Sequence, residues 1–551
     1  MKIPATQLHR LINKKLFIVV AISAALRLYN LSSTPPSLYW DEVSIGYNAY
    51  SISQTGKDEW GNPLPLNFKS FGEYKLPGQI YLTVPFVWLL GLNDFSVRLP
   101  SAIMGVLAVI GIYLLTKQLA QKIAPHKSES IAIFSAILLA VSPWHLQFSR
   151  ASFEANSAIT LLIYGLFFLL TAQKKPYKLL FSAVFFSLSF YFYHHVRIIA
   201  PIILIFYLTQ NYKFFLKNIK TALLSLVIGI TLSTPIIFSF FQSNGLNRAS
   251  QVSVIDLQNP QTNPDFVSAF SRYQNFPLPP NVKDKLAWSD VLFKYYLRHL
   301  DTGFLFIHGD NQTRHRTPST GLLYYFQIPL LLFASIYLLK KRTKESIFIL
   351  FLCLIFPVSA IFSDLTPHAL RSSTGIIGTT ILSSFAIIFI QKLPYLLRSA
   401  SIIIAFVSIV FYLFQYHIQS PAIDSQAWGY GHKELFEYLR RNVNTQPVII
   451  SGRYWNPYIY YLYYNQIPPE KYQNTAEKKT RINNYYFAGA GWDDRPFISN
   501  EIILKEIGSS KSSIIVTTPP EDNSITLNKH LLHTVNDLQN KPIFLIYELE
   551  L

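Results

Sequence analysis

The residues best suited to chemistry follow the first apolar segment of the chain, in the sequence Tyr39-Trp40-Asp41-Glu42. A carboxylate held at the partly dehydrated surface of a bilayer binds a proton more readily and can take one from an attacking hydroxyl group. Asp41 is therefore the predicted general base, with Glu42 beside it as a further catalytic acid. A structural alternative is that both acids open a helix, since carboxylates stabilise the positive end of a helix dipole.

A third acid, Glu154, follows Arg150 by four residues. This spacing is that of an intrahelical ion pair, which is one explanation of the two charges. The other explanation is functional, because we expect Glu154 to lie on the same side of the membrane as Asp41. Glu154 is accordingly a predicted catalytic residue, and Arg150 is a predicted binding residue for an anionic group.

Cationic side chains that could hold a phosphate group occur in several segments after Asp41. Such groups bind phosphate well where several converge, whereas a single one more often reaches towards lipid headgroups. The candidates are Lys75, Arg150, Arg197, Arg314, His315, His368 and Arg371.

The histidines permit a metal site but do not predict one. His308, His315 and His368 could bind a metal together with acidic residues, but they lack the His-x-x-x-His spacing of zinc motifs. The predicted chemistry requires no cofactor, and a divalent metal is left open. No glycine-rich phosphate loop of the Gly-x-x-x-x-Gly-Lys type occurs, which argues against a nucleotide site.

The chain that carries these residues has the composition of a membrane protein. Of its 551 residues, 50% are hydrophobic and 14% are charged, against about a quarter charged in soluble domains. The apolar residues gather in blocks of roughly 15 to 22, the length that crosses a bilayer as a helix. We predict about eleven such helices, near residues 16–30, 97–116, 131–147, 157–172, 179–193, 197–210, 221–240, 321–339, 346–362, 373–391 and 400–415.

Clusters of Lys and Arg predict the orientation of these helices. With the N-terminus in the cytoplasm, alternate connections face the cytoplasm and all are basic, as the positive-inside rule expects. This distribution explains the formal charge of +18 without nucleic acid. The outer face then carries a first loop, residues 31–78, and a large loop, residues 242–320. The short apolar segment 79–90 is predicted to be an interfacial helix; if it spanned the membrane, the orientation of everything after it would invert.

The chain changes character after residue 416. A polar, helix-like stretch near residues 433–441 is followed by short β-branched runs near residues 448–451, 514–517 and 543–547. We therefore predict a membrane domain over residues 1–416 and a small soluble α/β domain over residues 417–551 on the outer side.

Several motifs, taken in order, resemble the GT-C glycosyltransferases of the protein O-mannosyltransferase and aminoarabinose-transferase type. They are Arg27-Leu28-Tyr29, Trp40-Asp41-Glu42, Tyr74-Lys75-Leu76-Pro77, Val97-Arg98-Leu99-Pro100-Ser101-Ala102, and Ser149-Arg150 with Glu154. The resemblance covers roughly residues 16–390. It implies that Asp41 is the catalytic acid/base position, that Lys75 contacts a carrier phosphate, and that Glu154 is the second acidic position. Family members often have Asp where this chain has Glu154, and Lys-Pro-Pro where it has Lys75-Leu76-Pro77.

The resulting prediction is an α-helical, multi-pass GT-C enzyme of the plasma membrane, with its active site and C-terminal domain outside the cytoplasm. It would move a sugar, with inversion, from a polyprenyl-phosphate carrier to a hydroxyl group of a protein, glycan or lipid. Its partners would be this donor, the acceptor and membrane lipids. A lipid or glycolipid transporter or flippase is the alternative, since many helices with intramembrane charge suit it equally. A third class is a scaffold whose membrane part is inert.

Overall fold

The computed structural model of this chain is mainly helical and divides into two compact units. It describes residues 14–71, 73–242, 259–363, 365–454, 456–475, 480–488, 498–507 and 512–550. The first unit comprises residues 1–29, 101–149 and 153–415, and the second comprises residues 30–100, 150–152 and 416–551. The predicted division into domains at residue 416 stays a prediction. Part of the predicted large loop, residues 243–258, lies outside the described residues.

Helices form most of the described chain. Up to residue 242 they are α1 (Lys14–Leu28), α2 (Trp40–Thr55), α3 (Pro77–Leu90), α4 (Asp94–Ile123), α5 (Ser128–Val141), α6 (Pro143–Ser149), α7 (Glu154–Thr171), α8 (Lys178–Ser189), α9 (His194–Gln210), α10 (Tyr212–Lys217) and α11 (Ile219–Gln242). After residue 258 they are α12 (Pro264–Tyr273), α13 (Pro280–Arg298), α14 (Gln327–Lys341), α15 (Lys344–Ile355), α16 (Gly375–Ser384), α17 (Ile387–Ile390), α18 (Tyr395–Phe414), α19 (Ser420–Ile423), α20 (His432–Asn442), α21 (Pro457–Tyr464), α22 (Pro469–Gln473), α23 (Asn500–Ile507) and α24 (Pro519–Asp522).

A described helix lies at each of the predicted apolar blocks. Within the described residues, four helices are long and apolar enough to cross a membrane: Asp94–Ile123, Glu154–Thr171, Ile219–Ser239 and Tyr395–Ile423. The pair Pro125–Val141 and Pro143–Ser149, bent by 57°, makes a fifth if it is counted as one span. These helices support a multi-pass membrane protein, but the predicted number of about eleven spans is not confirmed.

Small residues allow the helices of the first unit to pack closely. In α7, Gly165 faces the ring of Phe186 in α8, and a Cβ added at Gly165 would lie 3.1 Å from that ring. In α16, Gly378 lies against the backbone of Leu352 and Cys353 in α15, with an added Cβ only 2.8 Å away. In lipid, the hydrophobic effect does not hold helices together, so close van der Waals packing of this kind stabilises their association.

Helix α1 of the same unit carries a fully buried arginine. Arg27 donates to the hydroxyl of Ser23 at 2.8 Å and to the carbonyl of Ala140 at 3.1 Å, and its NH2 lies 2.7 Å from Nδ1 of His145. These partners replace water around a charge that would otherwise be costly to bury. Arg27 thereby fixes α1 to the bend between α5 and α6.

The second unit contains the strands. A hairpin of β1 (Phe68–Ser70) and β2 (Glu73–Lys75) precedes α3. A six-stranded mixed sheet has the order β4-β5-β3-β6-β8-β7. Its strands are β3 (Val448–Ile450), β4 (Arg481–Ile482), β5 (Tyr485–Phe487), β6 (Ser512–Thr517), β7 (Lys529–Asn536) and β8 (Pro542–Glu550). The three predicted β-branched runs correspond to β3, β6 and β8, and their apolar side chains pack with α23 in one core.

Residues 30–100 and the C-terminal segment are folded together in this unit. Helix α2 packs on α21, four of whose five tyrosines are buried. The hydroxyl of Tyr47 donates to the carbonyl of Ile467 at 3.0 Å, and the amide of Gln473 donates to the hydroxyl of Ser51 at 3.1 Å. The chain that carries Asp41 therefore has the C-terminal segment as its structural support.

The contact between α2 and α21 can be tested at Gly46. A Cβ added there would lie 2.6 Å from Cγ2 of Val97 and 2.9 Å from Cε2 of Tyr463. We expect Gly46→Ala to lower the melting temperature of the purified protein, with a loss of about 1–3 kcal/mol, as overpacking usually costs. In the control Gly229→Ala, the new Cβ would have only ordinary contacts at 3.8 Å, so the melting temperature should stay unchanged or rise. Equal melting temperatures for wild type and Gly46→Ala would contradict the tight packing.

Candidate active site

Helix α2 positions Asp41. The backbone of Tyr39 is extended, and the helix begins at Trp40, so that both Asp41 and Glu42 lie in its first turn. The structural alternative for these acids is thus observed, and it does not exclude chemistry. Asp41 keeps 24% of its side chain exposed, whereas Glu42 is fully buried. Two adjacent acids therefore have different environments.

Lys75 is the cation that meets Asp41. It ends strand β2 directly before α3, and its ammonium group forms an ion pair with Oδ1 of Asp41. The same ammonium group lies over the ring of Phe71, 5.6 Å from the ring centroid, and the Lys75 side chain is only 6% exposed. A buried cation is thus presented beside a carboxylate that solvent reaches. The structure brings together the predicted base and the predicted phosphate ligand.

Glu42 is bound on both oxygens. Its Oε1 accepts from Nε of Arg98 at 2.9 Å and from the N–H of Ser152 at 2.9 Å. Its Oε2 accepts from NH2 of Arg98 at 3.0 Å and from the N–H of Tyr39 at 3.4 Å. A carboxylate with four donors around it has little capacity left to exchange a proton with a substrate. The geometry supports a structural role for Glu42 in place of the predicted catalytic one.

Arg98 is equally saturated. Besides Glu42, its guanidinium donates to the carbonyls of Leu31 at 3.1 Å, Pro35 at 2.7 Å and Ser37 at 2.5 Å. All five N–H groups of this fully buried side chain therefore have acceptors. The sequence contains the signal in the form of an arginine near the start of a long apolar helix, but it does not indicate which partners the arginine has.

Arg150 is also buried within the second unit. Its NH2 donates to the carbonyl of Thr34 at 3.0 Å, and its guanidinium lies 5.4 Å from the ring centroid of Tyr416. The neighbouring Ser152 hydroxyl accepts from the amide of Gln79 at 3.1 Å. These contacts join residues 150–152 to the first loop and to α3. They favour a structural role for Arg150 over the predicted binding of phosphate.

Glu154 and Arg197 belong to the first unit. Glu154 is the half-buried first residue of α7. Helix α6 ends at Ser149, so Arg150 and Glu154 do not share a helix, and the alternative of an intrahelical pair is wrong. Arg197, in α9, donates through Nε and NH2 to the carbonyl of Phe190, at 3.1 and 2.9 Å.

Two of the remaining predicted residues, His315 and His368, form a second polar cluster with Asp310 in the first unit. Oδ2 of Asp310 lies 3.2 Å from Nδ1 of His315 and 3.8 Å from Nδ1 of His368. All three side chains are buried, while Arg314 and Arg371 beside them are half-buried. We define these three residues, Asp310, His315 and His368, as the Asp-His-His cluster. Asp310 was not predicted, because it is separated from His368 by more than fifty residues in the sequence.

The cluster has defined charge states. Burial raises the pKa of the Asp310 carboxyl, but the hydrogen bond and the electrostatic interaction with His315 outweigh burial and lower it to about 2. Burial, assisted by the nearby His315, lowers the pKa of His368 well below its ordinary value. Burial also lowers the pKa of His299 to about 4. Asp310 is therefore an anion near neutral pH, and His368 and His299 are neutral.

Comparison with known proteins gives the fold. The sequence profile of the dolichyl-phosphate-mannose-protein mannosyltransferase family matches residues 76–238. The matched segment begins directly after Lys75, so the resemblance at Asp41 and Lys75 rests on their motifs alone. No curated protein sequence matches the chain.

Solved structures are similar over nearly the whole chain. ArnT from Cupriavidus metallidurans in its apo state is 11% identical, with 97% of each chain covered and a TM-score of 0.55. The structure of the same protein bound to undecaprenyl phosphate is 12% identical in sequence, with 97% of each chain covered and a TM-score of 0.54. An oligosaccharyltransferase from Archaeoglobus fulgidus, in complex with Zn and sulfate, is 14% identical with a TM-score of 0.49. The match covers 82% of this chain but only 61% of the length of the archaeal protein. The predicted GT-C fold is confirmed.

The buried pair of Glu42 and Arg98 predicts a large stability effect. Glu42→Gln or Arg98→Met leaves one partner charged and without its counterion in the interior, which costs roughly 3–5 kcal/mol. We expect both variants to unfold at markedly lower temperature or to be recovered poorly in detergent. Lys294→Met, which removes an exposed cation from its pair with Asp265, is the control and should lose much less. Similar melting temperatures for wild type and Glu42→Gln would refute the structural role.

Proposed function

We propose that this chain, with its GT-C fold, is a membrane glycosyltransferase that takes its sugar from a polyprenyl-phosphate carrier and transfers it to a hydroxyl group. The observation that carries the proposal is the ion pair of Asp41 and Lys75 at the start of α2 and the end of β2. A base and a phosphate-binding cation are the two groups that this reaction needs close together. The similarly folded ArnT has been crystallised with undecaprenyl phosphate, a lipid phosphate of the proposed donor class.

In the proposed reaction, the acceptor oxygen attacks the anomeric carbon of the sugar as the bond from that carbon to the phosphate oxygen breaks. Asp41 takes the hydroxyl proton, and the released carrier leaves as polyprenyl phosphate, whose added negative charge Lys75 stabilises. A single displacement inverts the anomeric configuration. Because phosphate is already a fair leaving group, positioning and a fixed cation suffice, and no covalent enzyme intermediate or metal is required.

The ion pair prepares both groups for these roles. Contact with Oδ1 of Asp41 holds the ammonium group of Lys75 directly beside the proposed base. Burial of Lys75 strengthens its attraction for an incoming phosphate, since charges interact more strongly away from water. The exposed face of Asp41 leaves a path for the acceptor hydroxyl. Both residues are held by short elements of one unit, the hairpin and the first turn of α2.

The other predicted residues receive different parts in this proposal. Glu154 is the second acid, and Arg197, Arg314, His315, His368 and Arg371 are candidates to bind further carrier or acceptor anions. Glu42 and Arg150 position the site through their buried contacts. The enzyme would reside in the plasma membrane with its N-terminus in the cytoplasm, and would act on the outer face upon a protein, glycan or lipid acceptor, as the basic connections suggest.

Loss of Asp41 or Lys75 should abolish sugar transfer. We expect Asp41→Asn to reduce the rate by about 10²–10⁴-fold through loss of the base, and Lys75→Ala by roughly 10²–10³-fold through loss of phosphate stabilisation. The measurement is transfer of radiolabelled sugar from polyprenyl-phosphate donors to an endogenous acceptor fraction in proteoliposomes. Lys69→Ala, which removes an exposed lysine from β1 of the same hairpin, is the control and should retain wild-type transfer.

The outcomes separate the alternatives. Undiminished transfer by well-folded Asp41→Asn would disprove the assignment of the base. If wild type transferred no sugar from any donor but moved labelled lipid across the bilayer, the chain would be a flippase. Melting temperatures of all variants distinguish a chemical loss from unfolding.

Inversion is a separate prediction. A sugar product made by the wild-type enzyme from a donor of known anomeric configuration should have the opposite configuration, measurable from the anomeric coupling constant by NMR. Retention would require two displacements and a nucleophilic residue, and would contradict the role given to Asp41.

A further inference from the structure

An aromatic crevice lies within the second unit, where the C-terminal segment meets the start of α2. Rings form most of its wall, and they belong to Trp40, Tyr430, His432, Tyr454 and Tyr460. His432 stacks on Tyr460 at a centroid distance of 3.8 Å and an interplanar angle of 12°, and both side chains are buried. Tyr430 and Tyr454 are half-buried, so part of each ring is open to a ligand. Aromatic walls with a few polar groups are the usual form of a small-ligand site.

The crevice lies at the carboxyl ends of the parallel strands. After β3 the chain continues to β5 on one side of β3, and after β6 it continues to β7 and β8 on the other side. In open α/β sheets, ligands bind where the connections of two adjacent strands diverge in this way. Tyr454 follows the end of β3, and Ile543, which also lines the crevice, precedes Leu545, the partner of Thr517 at the end of β6. The strand order and the aromatic wall therefore indicate the same position for a ligand.

The wall of the crevice is uncharged over the described residues. Besides the rings it includes Gly429, Ile543 and the exposed side-chain amide of Gln426. Burial lowers the pKa of His432 to about 4, although its Nδ1 lies 2.9 Å from the carbonyl oxygen of Gly429. This histidine is therefore neutral near neutral pH. Because a phosphate or carboxylate would meet no cation on this wall, the crevice suits an uncharged ligand.

The same features favour a sugar ring. The C–H face of a sugar packs on an aromatic ring, while its hydroxyl groups form hydrogen bonds with amide and phenol groups. The crevice holds about 260 Å³, part of which is open to solvent. Pockets that enclose drug-sized molecules hold roughly 300–1,000 Å³. A single ring at the end of a glycan therefore fits this crevice better than a fully enclosed ligand does.

Trp40 connects the crevice to the candidate active site. It is the first residue of α2 and directly precedes Asp41, and its side chain is only 7% exposed. The ring of Tyr39 lies edge to face with Trp40 and with Trp428, at a centroid distance of 5.7 Å in both cases. The start of α2 is thereby held against the segment that forms the crevice. A ligand in the crevice would be next to the residue that precedes the proposed base.

We propose that this crevice binds a neutral sugar ring of a glycan acceptor, which packs on Tyr430 and Tyr454 and forms hydrogen bonds with Gln426. The inference rests on the proposed sugar transfer and specifies its acceptor. Because a general base takes its proton from the acceptor, the ligand bound beside Asp41 is the molecule that receives the sugar. The attacking hydroxyl group then belongs to a carbohydrate.

The test is ligand-observed NMR on the full-length protein in detergent, with no sugar donor present. The probes are neutral disaccharides of glucose, galactose and mannose, and glucuronic acid is the charged comparison. We expect saturation transfer from the wild type to the neutral probes. Tyr454→Leu and Gln426→Ala should bind them about three- to tenfold more weakly, as expected for one lost ring contact or hydrogen bond. The matched control is Tyr438→Leu, which removes a half-buried tyrosine of α20 that packs on His533 and does not line the crevice.

Two results would overturn the proposal. One is wild-type protein that binds none of the neutral saccharides, or that binds glucuronic acid equally well. The other is affinity in Tyr454→Leu and Gln426→Ala equal to that of Tyr438→Leu. Gln426→Ala changes an exposed side chain, so it provides a folded test if the tyrosine variant is unstable. Asp41→Asn should bind the saccharides as the wild type does while it transfers no sugar, so the binding site and the proposed function can fail separately.

Discussion

The pairing of Glu42 with Arg98 is the interaction on which the rest of the candidate active site depends. Two charged side chains without exposed surface would be costly to bury if any of their groups lacked a partner. The fold meets this requirement in full: five donors of the arginine and two oxygens of the glutamate all have partners. Those partners come from residues 31–39, from α2, from the start of α4 and from Ser152, so one ion pair joins four segments.

The constraint on Glu42 also fixes Asp41. Adjacent residues in a helix point about 100° apart, so a first turn whose Glu42 faces inward must direct Asp41 elsewhere. There it meets Lys75, which the hairpin and the start of α3 place at the edge of the same unit. The position of the Asp41–Lys75 pair is thus determined by neighbours that take no part in the proposed chemistry. Such preorganisation is what a reaction that depends on alignment requires.

Local features of the sequence were enough to predict the apolar helices and three of the described strands. Apolar blocks gave the helices, because each helix satisfies its own backbone, and β-branched runs gave β3, β6 and β8. The number of spans could not be predicted in the same way, since several apolar helices are shorter than a bilayer crossing. The packing of residues 30–100 with the C-terminal segment could not be predicted from the sequence either. It depends on long-range contacts, such as that of Tyr47 with Ile467, which no local pattern indicates.

Site residues that belong to recognisable motifs could be predicted from the sequence. The roles of residues that depend on hydrogen bonds to backbone carbonyls could not. The resemblance indicated Asp41 and Lys75 as site residues, but their ion pair, between positions 34 apart in the sequence, was not predicted. The role of Glu42 was not foreseen, because its saturation depends on Arg98, and that arginine is in turn held by the carbonyls of Leu31, Pro35 and Ser37. For the same reason Asp310 was not predicted, because local spacing does not indicate its contact with His368, which belongs to a distant loop.

Saturation is a physical criterion that separates the roles of these polar groups. Glu42 and Arg98 have all their hydrogen-bonding capacity satisfied within the chain, so a substrate could engage them only by breaking the fold. Asp41 is adjacent to Glu42 in the sequence, but it combines an ion pair with a partly exposed side chain, as its proposed role of base requires. The Asp-His-His cluster is a third case, in which a buried carboxylate and two histidine nitrogens converge. Among the described residues, these partners distinguish a saturated pair that stabilises the fold from the partly exposed pair of Asp41 and Lys75 and from the buried Asp-His-His cluster.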